Sequence, residues 1–128
     1  MRLGIAGAGM IVRGLFSFIH EIEGIELEAI ASTEKSIEKV KQMAKENHVK
    51  KAYLNYDELL NDEDIEVMYI ATPNHLHYQM CKQALEKGKN VICEKPFTSR
   101  IEELEELSQL AKEKHLFLFE EISTQYFP

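Results

Sequence analysis

Residues 65–71 read IEVMYIA, an apolar run broken only by Glu66. A strand with one wet face alternates apolar and polar residues, so a run without alternation needs cover on both faces. In a chain of ordinary composition, that cover comes from helices packed on either side of a parallel sheet. The rest of the sequence supplies the parts. Short apolar segments at 3–6, 25–31, 52–54, 91–93 and 115–120 read as strands, and helical patterns lie between them. Ile11, Leu15 and Ile19, with Val12 and Phe16, recur at helical spacing, as do Ile37, Val40 and Ala44. Asn55, three residues before Glu58, predicts the cap of a brief helix holding Leu59 and Leu60. Asn74 predicts the cap of a helix with Leu76, Met80 and Ala84 inward, ended by Gly88. Ser99 and Glu102 form a capping box ahead of Leu104, Leu107 and Ala111. Sixfold alternation of strand and helix, with right-handed crossovers, predicts a doubly wound α/β fold in a single domain.

The bulk properties narrow the function. A chain of 128 residues, 45% hydrophobic and 29% charged, is long enough for one real core and too apolar for disorder. Its net charge of −7 argues against non-specific nucleic-acid binding, which needs a basic face. A small anion is still allowed, because helix N-termini and single basic residues set the local field. No apolar run is long enough to span a bilayer, and no leader-like stretch opens the chain. Cys81 and Cys93 have no C-x-x-C spacing and no disulfide framework, so a reduced, cytoplasmic setting is expected.

In an open parallel sheet, ligands bind beyond the carboxyl ends of the strands, where strand order reverses. After the first strand comes Gly7-Ala8-Gly9-Met10-Ile11-Val12, a G-x-G-x-x-G/A pattern with Val12 in the last place. Gly7 permits the tight turn, and Gly9 lets a pyrophosphate approach the backbone at a helix N-terminus. Val12 is bulkier than the usual residue and would hold the helix slightly off the strand. A glycine-rich turn can also occur without chemical meaning; its place between first strand and first helix points to a nucleotide. A phosphoacceptor domain of flavodoxin-like topology would want acidic residues there, where this chain has Gly-Ala-Gly.

The second strand ends Ala31-Ser32-Thr33-Glu34-Lys35. An NAD site usually carries Asp or Glu here for the ribose 2′-hydroxyl. Ser32 stands there instead, with Thr33 and Lys35 near enough to meet a 2′-phosphate. That favours NADP over NAD, and Glu34 argues the other way. At the same rim, Thr72, Pro73 and Asn74 are expected cofactor contacts. His75 and His77 are two apart on a helix and face different ways, so no shared metal is expected. The fifth strand runs into Glu94-Lys95-Pro96, charges that a strand end does not need for packing. As a local ion pair they would contribute little. Pro96 fixes the chain where they are aimed, and a lysine beside a nicotinamide could move a substrate hydroxyl proton.

Together, GAGMIV, IEVMYIATPNHLHY and VICEKPF resemble the glucose–fructose oxidoreductase, inositol dehydrogenase and rhizopine-catabolism (Gfo/Idh/MocA) family over the whole chain. The resemblance implies the dinucleotide-binding half of a two-domain NAD(P)-dependent sugar or polyol dehydrogenase. It implies that Gly7 and Gly9 form the glycine turn, with Met10 and Ile11 lining it. Thr72, Pro73 and Asn74 match the loop near the nicotinamide ribose, and His77 the family's usual histidine. Glu94 matches a cofactor contact, and Lys95 the catalytic lysine between nicotinamide and substrate. Residues 120–128 are similar to the family's E-A-x-x-x-R-F-x-P segment, with Gln125 for the Arg and Glu121 for the small residue. Residues 1–119 are then the cofactor domain and 120–128 the start of a connection to a second domain that carries the substrate pocket. A last strand left open would invite self-association, so a homo-oligomer is a possible partner. Two rival readings stand beside the oxidoreductase: a non-catalytic dinucleotide-binding redox sensor, and a fold that has lost its ligand.

Overall fold

The computed structural model describes residues 1–7, 24–31, 37–71, 76–94 and 101–121. Six parallel strands form one sheet: β1 (Arg2–Gly7), β2 (Glu26–Ala31), β3 (Lys51–Tyr53), β4 (Val67–Ala71), β5 (Asn90–Glu94) and β6 (Leu118–Glu121). Their order is β3-β2-β1-β4-β5-β6, so the direction of winding reverses between β1 and β4. The described helices are α1 (Ile37–Glu46), α2 (Tyr56–Leu60), α3 (His77–Glu86) and α4 (Ile101–Glu113). This is the doubly wound α/β architecture that the apolar run of β4 demands, and all five β4 residues are buried.

The two faces of the sheet pack differently. Leu3, Ile5, Leu27, Ile30, Val67 and Tyr69 cluster with Val40 and Ala44 of α1. On the other face, Ala6, Ala29, Ala31, Met68, Ile70, Val91 and Cys93 meet Leu59 and Leu60 of α2, Met80, Cys81, Ala84 and Leu85 of α3, and Leu107 and Ala111 of α4. A bulge sorts β2 between them. Leu3 pairs with Leu27 but Gly4 with Ala29, so Glu28 is an extra residue and the side-chain alternation flips there.

Element ends follow local chemistry. Asn55 caps α2 as expected, its Oδ1 accepting from the Glu58 N–H at 2.9 Å. Gly88 stops α3 with φ +80°. The third strand lies one residue earlier than the pattern predicts, and the fourth begins at Val67 because Ile65 is buried in the preceding turn. The expectation of a strand from residue 115 is corrected. His115 takes φ +58°, and the Leu116 N–H closes back on the Ala111 carbonyl at 2.8 Å, so these residues finish α4 and the strand starts at Leu118. The capping roles predicted for Asn74 and Ser99 lie outside the described residues.

Candidate functional site

The topology brings four strand ends side by side at the carboxyl edge: Ala31 of β2, Gly7 of β1, Ala71 of β4 and Glu94 of β5. Each predicted contact that lies outside the described residues follows one of these ends in the chain. Gly9, Met10 and Ile11 follow β1; Ser32, Thr33 and Lys35 follow β2; Thr72, Pro73 and Asn74 follow β4; Lys95 follows β5. The edge is therefore where the sequence concentrates its candidates, at the point of reversed winding. Glu94 closes β5 by its backbone, and its side chain is outside the described residues.

Gly7 is the described member of the glycine turn. Its φ is +133°, and a Cβ there would lie 2.3 Å from the Ala71 carbonyl oxygen. Only a residue without a side chain fits against that backbone, the close approach that a dinucleotide turn requires. His77 opens α3 with 1% of its surface exposed, so it is packed into the fold at the root of the 72–75 segment.

Beside Gly7 a cleft of about 340 Å³ opens between the sheet edge and two helices. Ala6, Gly7 and Ala31 form its floor, Leu54, Asn55 and Tyr56 one wall, and Leu76, Gln79, Met80 and Gln83 the other. The alanines are what make the room; valine or isoleucine at these inward positions would fill it. Tyr56 ties the walls together by donating to the Met80 carbonyl at 2.7 Å, and burial pushes its phenol well above the ordinary value. A mostly apolar slot with a few polar groups, next to a glycine turn that accepts no side chain, fits the adenosine part of a dinucleotide.

A polar hub built on the buried side chains of Glu28, Asp62 and Lys89 fixes one wall from below. The Asp62 carboxylate accepts from Lys51 Nζ at 3.0 Å, Tyr53 Oη at 2.8 Å and the Asp64 N–H at 2.9 Å. Lys51 also meets Glu28 and Asp64, each at 3.0 Å, and Lys89 donates to the carbonyls of Asp62 and Ile65 at 2.8 and 3.1 Å. Burial alone would raise the Asp62 pKa, but the Asp64 N–H, Lys51 and Tyr53 together hold it below the ordinary carboxylate value. Lys51 is held up chiefly by Glu28, then by Asp64 and Asp62. Burial draws Lys89 down. Tyr53 and Asp62 bracket the 54–61 excursion, so the hub pins both ends of the segment that forms the Leu54–Tyr56 wall. The hub and the cleft residues Leu54, Tyr56, Gln79 and Gln83 were not singled out from sequence. The hub's one signal there was charge within or just before an apolar strand, at Glu28 and Lys51. Among the described residues no cluster of His, Cys, Asp or Glu could hold a metal, Cys81 and Cys93 are buried and form no disulfide, and no helix is long and apolar enough to cross a membrane.

The model of an oxidoreductase family with an NAD-binding Rossmann fold, GFO_IDH_MocA, matches residues 1–122. The chain belongs to this family. It is 39% identical over 117 residues to a D-xylose 1-dehydrogenase (NADP(+)) of Hypocrea jecorina, covering 91% of this chain and 29% of that protein. With a trans-1,2-dihydrobenzene-1,2-diol dehydrogenase of Bos taurus it shares 34% over 128 residues, all of this chain and 38% of the relative. A 3-ketoreductase from Actinomadura kijaniata, solved with NADP and TDP-benzene, has a similar structure (TM-score 0.87, 28% identity), covering 94% of this chain and 36% of that one. A levoglucosan dehydrogenase solved with NADH and levoglucosan gives a TM-score of 0.79 at 26% identity, over 94% and 34% of the two chains. The chain thus spans about a third of the length of these family members.

Proposed function

We propose that this chain is the cofactor-binding part of an NAD(P)-dependent dehydrogenase acting on a sugar, polyol or related hydroxyl compound. The observation that carries the reading is the carboxyl edge itself. Four adjacent strand ends meet where the winding reverses, Gly7 there has no room for a side chain, and a cleft opens beside it. Residues 1–119 are the cofactor domain, and 120–128 begin the connection to a substrate domain, in keeping with relatives about three times as long.

When bound, the nicotinamide ring would give or take the hydride. This chain's own residues hold and orient it. Gly7 and Gly9, with Met10 and Ile11, form the pyrophosphate turn; Thr72, Pro73, Asn74 and Glu94 contact the cofactor toward its nicotinamide end, with the buried His77 packed behind them rather than exposed to it. Lys95 holds the substrate hydroxyl and moves its proton as the carbon–oxygen bond changes order. Ser32, Thr33 and Lys35, in place of an acidic residue after β2, favour the 2′-phosphate of NADP. The setting is cytoplasmic.

Calorimetric titration of the chain with NADPH and with NADH tests this. Binding of at least one is expected, NADPH the tighter; a folded protein that binds neither refutes the cofactor role. In the protein that carries the substrate domain, Lys95→Ala should abolish turnover while leaving cofactor binding within a few-fold. Full turnover by that variant would remove Lys95 from the chemistry and leave the non-catalytic sensor.

A further inference from the structure

The cleft beside Gly7 has polar side chains whose use the cofactor reading leaves open. Its floor ends at Ala31, the last residue of β2, and in a doubly wound sheet that strand end faces the adenosine ribose. At about 340 Å³, the cleft lies near the lower bound for small-molecule sites, enough for one end of a dinucleotide rather than the whole. Ala6, Ala31, Leu54, Leu76 and Met80 give it apolar surfaces suited to a flat heteroaromatic ring. A base seated there would lose water from part of its ring nitrogens and exocyclic amine, and groups left unpaired there are costly.

Three carboxamides and one phenol line the cleft. The Asn55 oxygen already accepts the Glu58 N–H, and the Tyr56 hydroxyl already donates to the Met80 carbonyl. Gln79 and Gln83 remain. They are one turn apart on α3, so they sit one above the other on the same wall. A carboxamide pairs its oxygen and its NH2 with the adjacent amine and ring nitrogen of adenine in a bidentate contact.

We propose that Gln79 and Gln83 are specificity residues that read the base edge of the cofactor's adenine. This rests on the dinucleotide reading above. The test is the dissociation constant for NADP and for N1,N6-etheno-NADP, whose etheno bridge occupies the N1 and N6 positions and leaves the sugar and phosphates intact. The unmodified chain binds the etheno analogue about tenfold more weakly, the loss of one to two hydrogen bonds. Gln79→Met with Gln83→Met keeps length and helix propensity, and binds both ligands alike, near the weaker value. Gln79→Met alone, at an exposed position, gives part of that loss and guards against an effect on folding, which a melting curve follows in each variant. An unchanged preference for NADP in the double variant, or equal affinities in the unmodified chain, overturns the assignment. If the unmodified chain binds neither ligand, the dinucleotide reading itself fails, which is a different result.

Discussion

Replacing Gly7 with alanine should be among the most damaging single changes at the carboxyl edge. Two costs add. The first is backbone: φ +133° is a conformation that side-chain-bearing residues rarely adopt, with a penalty of about 1–3 kcal/mol. The second is space. The new Cβ would sit 2.3 Å from the Ala71 oxygen and 2.7 Å from its carbon, and both are backbone atoms of the neighbouring strand rather than a side chain that can turn away. Overpacking of this kind costs about 1–3 kcal/mol. A total near 4 kcal/mol is a large share of the 5–15 kcal/mol that holds a domain together. At a urea slope of about 1.5 kcal/mol per molar, the midpoint should fall by roughly 2.5 M. Gly88→Ala is the matched control, because φ there is +80° and a Cβ would meet nothing within 4 Å. It carries the backbone cost alone, about 1 kcal/mol. Urea melts of the two variants, followed by far-ultraviolet circular dichroism, differ by the Ala71 wall together with the greater backbone strain of φ +133° over φ +80°, about 3 kcal/mol in all. Losses equal to within about 0.5 kcal/mol would refute the steric half of the reasoning.

Asp62→Asn should cost about 2–3 kcal/mol in a urea melt, since it removes the buried charge that Lys51 and Tyr53 share, while Glu28 and Asp64 still hold the lysine. Because the Asp62 carboxyl titrates lower when folded than its unfolded value of about 3.9, its contribution is complete above that pH and lost as pH falls through the folded value. The acid limb of the stability profile below about pH 4 should therefore be shallower in Asp62→Asn than in the parent; equal limbs would contradict the hub. His115→Gly should raise stability by about 1 kcal/mol, because φ +58° at that exposed position strains histidine and not glycine. Leu107→Ala, at a site with no exposed surface, should cost 2–5 kcal/mol by thermal or chemical melt, and a smaller loss would mean that α4 can collapse into the space.

Much of this fold is written locally. The apolar run of β4 cannot serve as a surface strand, and the cap at Asn55 and the stop at Gly88 are short-range chemistry with one outcome. The last strand was misplaced because Leu116 and Phe117 are as apolar as a strand needs. What stops the strand there is a hydrogen bond from Leu116 back to Ala111, five residues earlier. The close approach at Gly7 was legible for the same reason as the caps, since motif and strand end adjoin in sequence. The hub was not, because Glu28, Lys51, Asp62 and Lys89 come from four separate segments that only the sheet brings together.

The bulge in β2 shows why the cleft escaped a periodicity reading. Strict alternation puts Leu27, Ala29 and Ala31 on one face and Glu26, Glu28 and Ile30 on the other, and the apolar Ile30 beside two glutamates is the one mark of a break in 25–31. With Glu28 as the extra residue, Leu27 turns to the α1 face while Ala29 and Ala31 join Ala6 beneath α2 and α3. The same shift leaves Glu28 4% exposed beside Lys50 and Lys51, so the irregularity that sets the alanine floor also supplies a carboxylate to the hub. One local feature thus bears on both floor and wall: the bulge places small side chains below, and the one carboxylate it supplies, Glu28, holds Lys51, which in turn holds Asp62 at the end of the excursion above. A cleft made this way depends on side chains that are missing and on a count of residues that is off by one. Neither has a residue type to announce it.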